Sequence, residues 1–237
     1  MARRPMVALL AALAVGACAE AGDDELDVMQ ETPAPAAEVT GDDPDVAPAG
    51  EAPALPAGYE LRLDQADASA PEYHVESADG ALRVETGPAG VLYRADNVVE
   101  SGDYTVSATF TQIAAPAGHR EAFGLIFGGQ DLQGEAQAYS YFVVRADGSY
   151  LIKRRDGSET SDVTEGWVQS DAVNAAPEGG DVTNELAVAV EGEQVRFSVN
   201  GTEVDTAPAS ELETHGIAGV RVNHNLNVRV EDFRIEQ

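Results

Sequence analysis

Two tyrosines behind a polar loop are the feature of this sequence most typical of a binding site. Tyr139 and Tyr141 stand two positions apart in an apolar stretch, so on a β-strand both side chains would point to one face. The preceding segment "GGQDLQGEAQ" supplies carboxylates and amides, beginning with Asp131. Sugar rings require aromatic faces beside directed hydrogen-bond groups, so the pattern indicates carbohydrate binding. The alternative is that both tyrosines lie in the hydrophobic core.

Three consecutive cations, Lys153, Arg154 and Arg155, form a positive cluster in a chain with 14 Lys and Arg against 42 Asp and Glu. One interpretation is a site for an anion or a carboxylate-bearing glycan, with the Arg154 fork making two parallel hydrogen bonds. The other is that these cations pair with acids on neighbouring strands.

Trp167 is the only tryptophan, and it would either stack on a ligand or cover the core. Asn223 begins an alternation of asparagines that predicts either a row on one strand face or a turn. These residues complete the predicted ligand-binding set. The set comprises Asp131, Tyr139, Tyr141, Arg154, Trp167 and Asn223.

Catalytic signatures are weak. A glycosidase needs two carboxylates at a defined separation. Glu231 and Asp232 in "VEDFRIE" are adjacent, so a regular strand would point them to opposite faces, which argues against a glucanase. The nucleophile elbow and the phosphate-binding glycine loops are absent from the sequence.

No cofactor is predicted. The four histidines show no zinc-binding spacing. Calcium could take oxygen ligands from Asp131, Asp147 or Asp156 in loops, but no calcium motif supports such a site.

The only cysteine, Cys18, follows an apolar run that begins after Arg3 and Arg4. The run is too short to span a bilayer comfortably, and its end, "VGAC", resembles a bacterial lipobox. We therefore expect residues 1–17 to be a lipoprotein signal peptide and Cys18 to be lipidated, which leaves no thiol for chemistry. An ordinary secretory signal is the alternative. Ala19 after the cysteine favours delivery to the outer membrane of a bacterial envelope.

Residues 18–57 are rich in Ala, Pro, Asp and Glu and offer few large apolar side chains, so they are expected to form a disordered tether. Eleven acidic residues and no Lys or Arg fall between positions 19 and 57. The net charge of −28 would repel nucleic acid, which excludes it as a partner.

Residues 58–237 alternate apolar and polar side chains in many short runs, such as "DYTVSATFTQ" and "QVRFSVNG", with no helical stripes. Asn200-Gly201 and Asp147-Gly148 separate such runs and predict hairpins. One turn of helix could fit in "ASELETHG". The sequence therefore predicts an all-β protein, an antiparallel β-sandwich or jelly roll.

The segments "AFGLIFGG", "YFVVRADGSYLIKRRDG", "VRFSVNGTEV" and "VRVEDFRI" resemble concanavalin A-like, laminin-G-like jelly-roll domains, and most closely the 3-keto-disaccharide hydrolase-like group. The resemblance spans most of residues 68–237. It implies the fold and leaves three functions open, because unrelated sites occur on this fold. The first is an envelope domain that binds carbohydrate or an envelope protein. The second is a glycosidic hydrolase that uses Asp131 or Glu135, and the third is a non-catalytic structural lipoprotein.

Overall fold

The computed structural model describes residues 53–65 and 72–237. The predicted signal peptide, Cys18 and residues 18–52 of the predicted tether lie outside the described residues. Described residues form fifteen strands and one 3₁₀ turn at Ala209–Glu211. The strands are β1 (Tyr59–Leu63), β2 (Tyr73–Ala78), β3 (Ala81–Thr86), β4 (Gly90–Val99), β5 (Tyr104–Gln112), β6 (Ala122–Gln130), β7 (Ala138–Arg145), β8 (Ser149–Asp156), β9 (Glu159–Asp162), β10 (Val168–Gln169), β11 (Val182–Glu191), β12 (Gln194–Val199), β13 (Thr202–Pro208), β14 (Gly216–Val222) and β15 (Asn227–Glu236). Within the described ranges, no helix is long and apolar enough to cross a membrane.

The strands form two antiparallel sheets. Sheet A has the order β1-β4-β14-β6-β7-β8-β10, with β9 paired to β8, and sheet B has the order β13-β12-β11-β5-β15-β3-β2. The main core lies between them, where alternate residues of both sheets interdigitate. Fully buried examples include Phe110, Phe123, Phe142, Leu186 and Phe197. Each such side chain contributes about 1.5–3 kcal/mol by leaving water. The prediction of an all-β antiparallel sandwich is confirmed.

Two of the predicted turns form with different geometries. Asn200 and Gly201 have φ of 51° and 75°, the positive values that a type I′ hairpin needs, and they join β12 to β13. The hairpin at Asp147-Gly148 also forms, between β7 and β8, but only Gly148 has a positive φ, 87°. The Gly148 amide donates to the Arg145 carbonyl, so the turn spans residues 145–148 and begins one residue earlier than the Asp-Gly pattern suggests.

Alternation fails at two predicted strands. A bulge lies between Glu231 and Arg234, where Asp232 has a φ of 51°. The strand is therefore irregular at this point, and simple alternation does not determine the directions of Glu231 and Asp232. β14 ends before Asn223, and Asn225 has a φ of 52°, so the asparagines form a turn instead of a continuous row.

The two outward faces of the sandwich differ in polarity. Sheet B presents exposed ion pairs such as Arg229–Glu231 and Arg234–Glu185. Sheet A instead carries a second hydrophobic cluster on its outer face, with Trp167 and Ile217 packed against it. The buried members of this cluster are Val91, Tyr93, Ala122, Ile126, Leu132, Tyr139, Tyr141, Val143 and Leu151. The outward face of an antiparallel sheet is commonly polar and solvated. The buried apolar cluster therefore makes the outer face of sheet A the candidate location of a functional site.

Candidate functional site

Arg145 and Trp167 form a stacked pair on the outer face of sheet A. Arg145 ends β7, and strand register places it on the same face as Tyr139 and Tyr141. Trp167 precedes β10, whose first residue pairs with β8. The guanidinium carbon of Arg145 lies 3.4 Å from the Trp167 ring centroid, well inside the range of a cation–π contact. The covered ring face is therefore closed to a ligand, and Trp167 supports the guanidinium.

Arg145 has little compensation for its charge. Its Nε atom is buried and has no hydrogen-bond partner among the residues described. Burial lowers the pKa of the Arg145 guanidinium, and Arg120 also lowers it, whereas Asp147 and Glu121 raise it. Such a shift indicates a cation that has lost part of its hydration without gaining a close anionic partner.

Asn223 lies in line with Arg145 across the sheet. Ala122 pairs with Arg145 on one side, and its carbonyl accepts a hydrogen bond of 2.9 Å from the Asn223 amide on the other. Two strand spacings separate Asn223 from Arg145, about 10 Å. The Asn223 Oδ1 is buried and, within the described ranges, has no hydrogen-bond partner. Buried polar atoms without partners are rare in proteins, so two of them beside one alanine mark this row as unusual.

A cavity of about 340 Å³ is lined in part by Ala146 and Asp147, the two residues that follow Arg145, although Arg145, Trp167 and Asn223 do not line it. Loops from both sheets form it: the β5–β6 loop, the β7–β8 hairpin and the β10–β11 loop. Its volume lies at the lower end of the range for small-molecule sites. The lining residues are Ala115, Pro116, Ala117, Gly118, His119, Arg120, Ala146, Asp147, Ala176, Pro177 and Glu178. We refer to Arg145, Trp167, Asn223 and this cavity as the Arg145 site.

Tyr139 and Tyr141 share the outer face of sheet A, as their spacing predicts, but they are 0 % and 8 % exposed. Arg221 lies between them and the end of β1. It donates to the Tyr139 hydroxyl at 3.2 Å, approaches the Tyr141 ring at 5.2 Å and forms an ion pair with Asp64. The structure therefore favours the interpretation that both tyrosines are core residues, because neither offers an open ring to a sugar.

The predicted cation cluster is divided between partners. Lys153 pairs with Asp162 of β9 at 2.8 Å, and Arg154 donates to Glu213 at 2.7 and 2.9 Å. Both contacts agree with the pairing interpretation. Arg154 alternates with Lys153, so it points away from the outer face and does not join Trp167 or Asn223.

Asp131 lies far from the Arg145 site. It is exposed just after the end of β6, whereas Arg145 pairs with the first residue of that strand. Eight residues of strand correspond to about 25 Å. Of the six predicted ligand residues, Trp167 contacts Arg145, and Asn223 lies about 10 Å from Arg145 on the other side of Ala122. The other four are not part of the Arg145 site.

Asp147 is separated from the other two aspartates suggested as calcium ligands, because Asp156 pairs with Ala138 at the Asp131 end of β7. Asp147 lies at the opposite end of the β6–β7 pair from Asp131, and its carboxylate accepts hydrogen bonds from the Ser149 amide and hydroxyl. In the ranges 53–65 and 72–237, no three His, Cys, Asp or Glu side chains are grouped as a metal site.

Solved structures with the same architecture were found at low sequence identity. A carbohydrate-binding module, CBM66 from Bacillus subtilis, matches with a TM-score of 0.55 and 12 % identity, covering 76 % of this chain and 96 % of the module. A Bacillus subtilis protein of unknown function with a galectin-like fold matches with a TM-score of 0.54 and 13 % identity, covering 76 % and 89 %. The fold is a galectin-like jelly-roll sandwich.

A third similar structure is the metal-free carbohydrate recognition domain of Emp46p, with a TM-score of 0.52 and 10 % identity, covering 76 % of this chain and 88 % of that domain. No protein-family model and no curated protein sequence matches the chain. At these identities the matches establish the jelly-roll architecture alone.

Sequence reasoning missed Arg145 and Arg221, although a signal for each was present. Alternation from Tyr139 through Tyr141 and Val143 reaches Arg145 on the same face. Arg221 stands between valines in "GVRVN", an apolar strand in which an arginine requires a partner. The partner, Asp64, lies 157 positions away, so no local pattern could indicate it.

Proposed function

We propose that the protein binds a carbohydrate at the Arg145 site. The observation that supports this most strongly is the Arg145 guanidinium, which stacks on Trp167 and forms no ion pair among the described residues, two strand spacings from the polar side chain of Asn223. Sugar recognition depends on such directed donors and acceptors next to apolar surface. Two solved structures of this fold also support the proposal, because one is a carbohydrate-binding module and the other is a carbohydrate recognition domain.

Thermal unfolding of the purified full chain against a panel of neutral and acidic oligosaccharides tests this function. A ligand at 100 times its dissociation constant stabilises the folded state by about 2.7 kcal/mol. For a chain of this size, each kcal/mol raises the midpoint by about 2–4 °C. A selective rise that is lost in Arg145→Gln supports the function. A flat response from folded protein contradicts it for the sugars in the panel.

We propose further that a lipid at Cys18 anchors the domain to a bacterial envelope, with the outer membrane as the destination. The order of the basic, apolar and small residues before Cys18 supports this. In a bacterial host the full chain should enter the detergent phase on phase separation, and Cys18→Ser should remain in the aqueous phase. Equal partitioning of the two proteins would contradict the anchor.

Hydrolysis of a glycosidic bond is the second candidate function, with Asp131 as the acid–base group. Asp131 is exposed, has a φ of 45° and begins a loop whose carbonyls at Gln133 and Gly134 accept hydrogen bonds from Arg62. Glycosidic hydrolysis uses a pair of carboxylates, and Glu135 of the same loop would be the partner of Asp131. Product analysis on a bound sugar tests this: cleavage that Asp131→Asn abolishes supports hydrolysis, and intact sugar contradicts it.

A further inference from the structure

The cations on the outer face of sheet A fall into two groups. By strand register five cations lie on this face: Arg62, Arg145, Lys153, Arg155 and Arg221. Arg221 and Lys153 pair with acids, and Arg62 donates to loop carbonyls. Within the described part of the chain, Arg145 and Arg155 form no ion pair, and Arg155 donates only to the Gly157 carbonyl. In a chain of net charge −28, a cation on a covered face without an acidic partner is unexpected.

The stacking of Arg145 determines which of its atoms a ligand could reach. Trp167 covers a face of the guanidinium, but the N–H donors lie in its plane and point outward from its edge. Nε is buried, so the terminal nitrogens are the available donors. A planar carboxylate matches such a fork with two parallel hydrogen bonds. Because the indole restricts the guanidinium, less side-chain entropy is lost when the bonds form.

Nearby acids are engaged in other contacts. Asp147 accepts hydrogen bonds from Ser149, and Glu121 lies 3.5 Å from His224 Nδ1. Arg120, which lines the cavity, adds a second positive charge close enough to lower the pKa of Arg145. An anion placed between Arg145 and Arg120 would relieve this repulsion.

The net charge of the protein does not prevent an anion from binding here. At physiological ionic strength, charges more than about 8 Å apart are largely screened in solvent. Asp147 and Glu178 line the cavity together with Arg120, so an anion would be held here by direct contact with Arg145 and Arg120 and not by the local net charge. Three larger cavities offer no comparable cation: in one Arg83 pairs with Glu85, and in another Arg234 pairs with Glu185. The third is lined by Gly192, Glu193, Gln194, Thr206, Ala207, Pro208, Ala209 and Ser210.

We infer that the ligand of the Arg145 site is an acidic saccharide whose ring carboxylate binds the edge of the Arg145 guanidinium, with Arg120 nearby. This inference rests on the proposed carbohydrate-binding function and narrows its substrate class to uronic-acid-type sugars. Asn223 lies on the far side of Ala122, and its side-chain Nδ2 is the group that would donate to a hydroxyl of the same ring or of a neighbouring one.

Calorimetric titration of the purified full chain with trigalacturonate, a hyaluronan tetrasaccharide and the methyl esters of both tests the inference. Each ester keeps the sugar and removes the charge. For at least one acid–ester pair, the dissociation constant of the acid should be at least about tenfold lower than that of its ester, a difference of about 1.4 kcal/mol in binding free energy. Arg145→Gln should reduce binding of the acid to the level of the ester, and Arg145→Lys should retain part of it, because charge remains and the fork is lost.

Arg154→Gln is the matched control, because Arg154 is paired with Glu213 on the opposite side of the sheet and should not affect binding. Equal binding of acid and ester would overturn the inference and leave carbohydrate binding intact. If acetate alone bound as tightly as the acidic saccharides, the site would be an adventitious anion site, and this result would also overturn the inference. Absence of binding by every acidic and neutral sugar would overturn both proposals.

Discussion

Arg221 and Asp64 form an ion pair that joins β14 to the end of β1 on the outer face of sheet A. Arg221 Nη1 donates to Asp64 Oδ1 at 2.9 Å, and the side chains are only 9 % and 22 % exposed. Removal of one partner would leave the other charge with little hydration. A pair of this kind is costly to break even when its formation adds little net stability.

Asp64→Asn should therefore lower the free energy of unfolding by about 3 kcal/mol at neutral pH. Urea denaturation measures the change. Asp162→Asn is the control, because the Lys153–Asp162 pair is more exposed and its loss should cost about 1 kcal/mol or less. Equal losses in the two variants would contradict the structural role assigned to Arg221.

The same pair predicts a dependence of stability on pH. Burial raises the pKa of Asp64, but the hydrogen bond and charge of Arg221 outweigh burial and hold that pKa below its ordinary value. The stabilisation is complete above the unfolded-state pKa of about 3.9. It is lost as the pH falls through the folded-state pKa. The difference in the free energy of unfolding between wild type and Asp64→Asn should become smaller below about pH 4. A difference that stays constant with pH would contradict this.

Tyrosine ionisation should coincide with alkaline unfolding. Burial raises the pKa of all seven tyrosines, that of Tyr93 and Tyr150 to about 12 each. Unfolded tyrosines ionise near pH 10, so stability is full below about pH 10 and falls as the pH rises further. Tyrosinate absorbance should appear in one cooperative step together with loss of the β-sheet signal. Ionisation of several tyrosines in folded protein near pH 10 would disagree with the buried positions.

Gly128 permits a close approach of two backbone segments. Its φ is 66°, and a β-carbon there would meet the carbonyl of Glu213, the residue that pairs with Arg154. Gly128→Ala should lower the free energy of unfolding by about 2–3 kcal/mol, combining left-handed backbone strain with overlap. Gly192→Ala has a similar φ, 59°, but open space around it, and should cost about 1 kcal/mol. Similar costs would show that the segments move apart easily.

Trp167 is the only tryptophan, so its fluorescence reports on the Arg145 stack. Arg145→Gln should shift the emission to longer wavelength and increase quenching by acrylamide, because the covered ring face becomes open to water. Arg154→Gln should change neither quantity. Unchanged emission in Arg145→Gln would show that the stack does not persist in solution.

Alternation of apolar and polar residues predicted most of the strands, because side chains in a sandwich must face either the core or the exterior. Alternation predicted the structure least well where the geometry depends on pairing between strands that are far apart in the sequence. β9 is formed by four exposed residues, "ETSD", and no periodicity could reveal it. The bulge at Asp232 depends on how β15 pairs with β5, more than a hundred positions earlier.

Prediction of the site was limited for the same reason. Tyr139 and Tyr141 share a face as expected, yet Arg221, 82 positions from Tyr139, packs against both side chains on that face. Trp167 and Asn223 were predicted as ligand residues individually. Their relation to Arg145 depends on the order of strands in sheet A, which a single sequence does not reveal.

The most direct test of carbohydrate binding at the Arg145 site is the emission of Trp167 during titration with the saccharide that raises the unfolding midpoint most. A ligand at Arg145 should change the emission with the same dissociation constant as calorimetry. The change should be absent in Arg145→Gln and retained in Arg154→Gln. Stabilisation by a sugar with no change in Trp167 emission would contradict the account and place the binding site elsewhere on the sandwich.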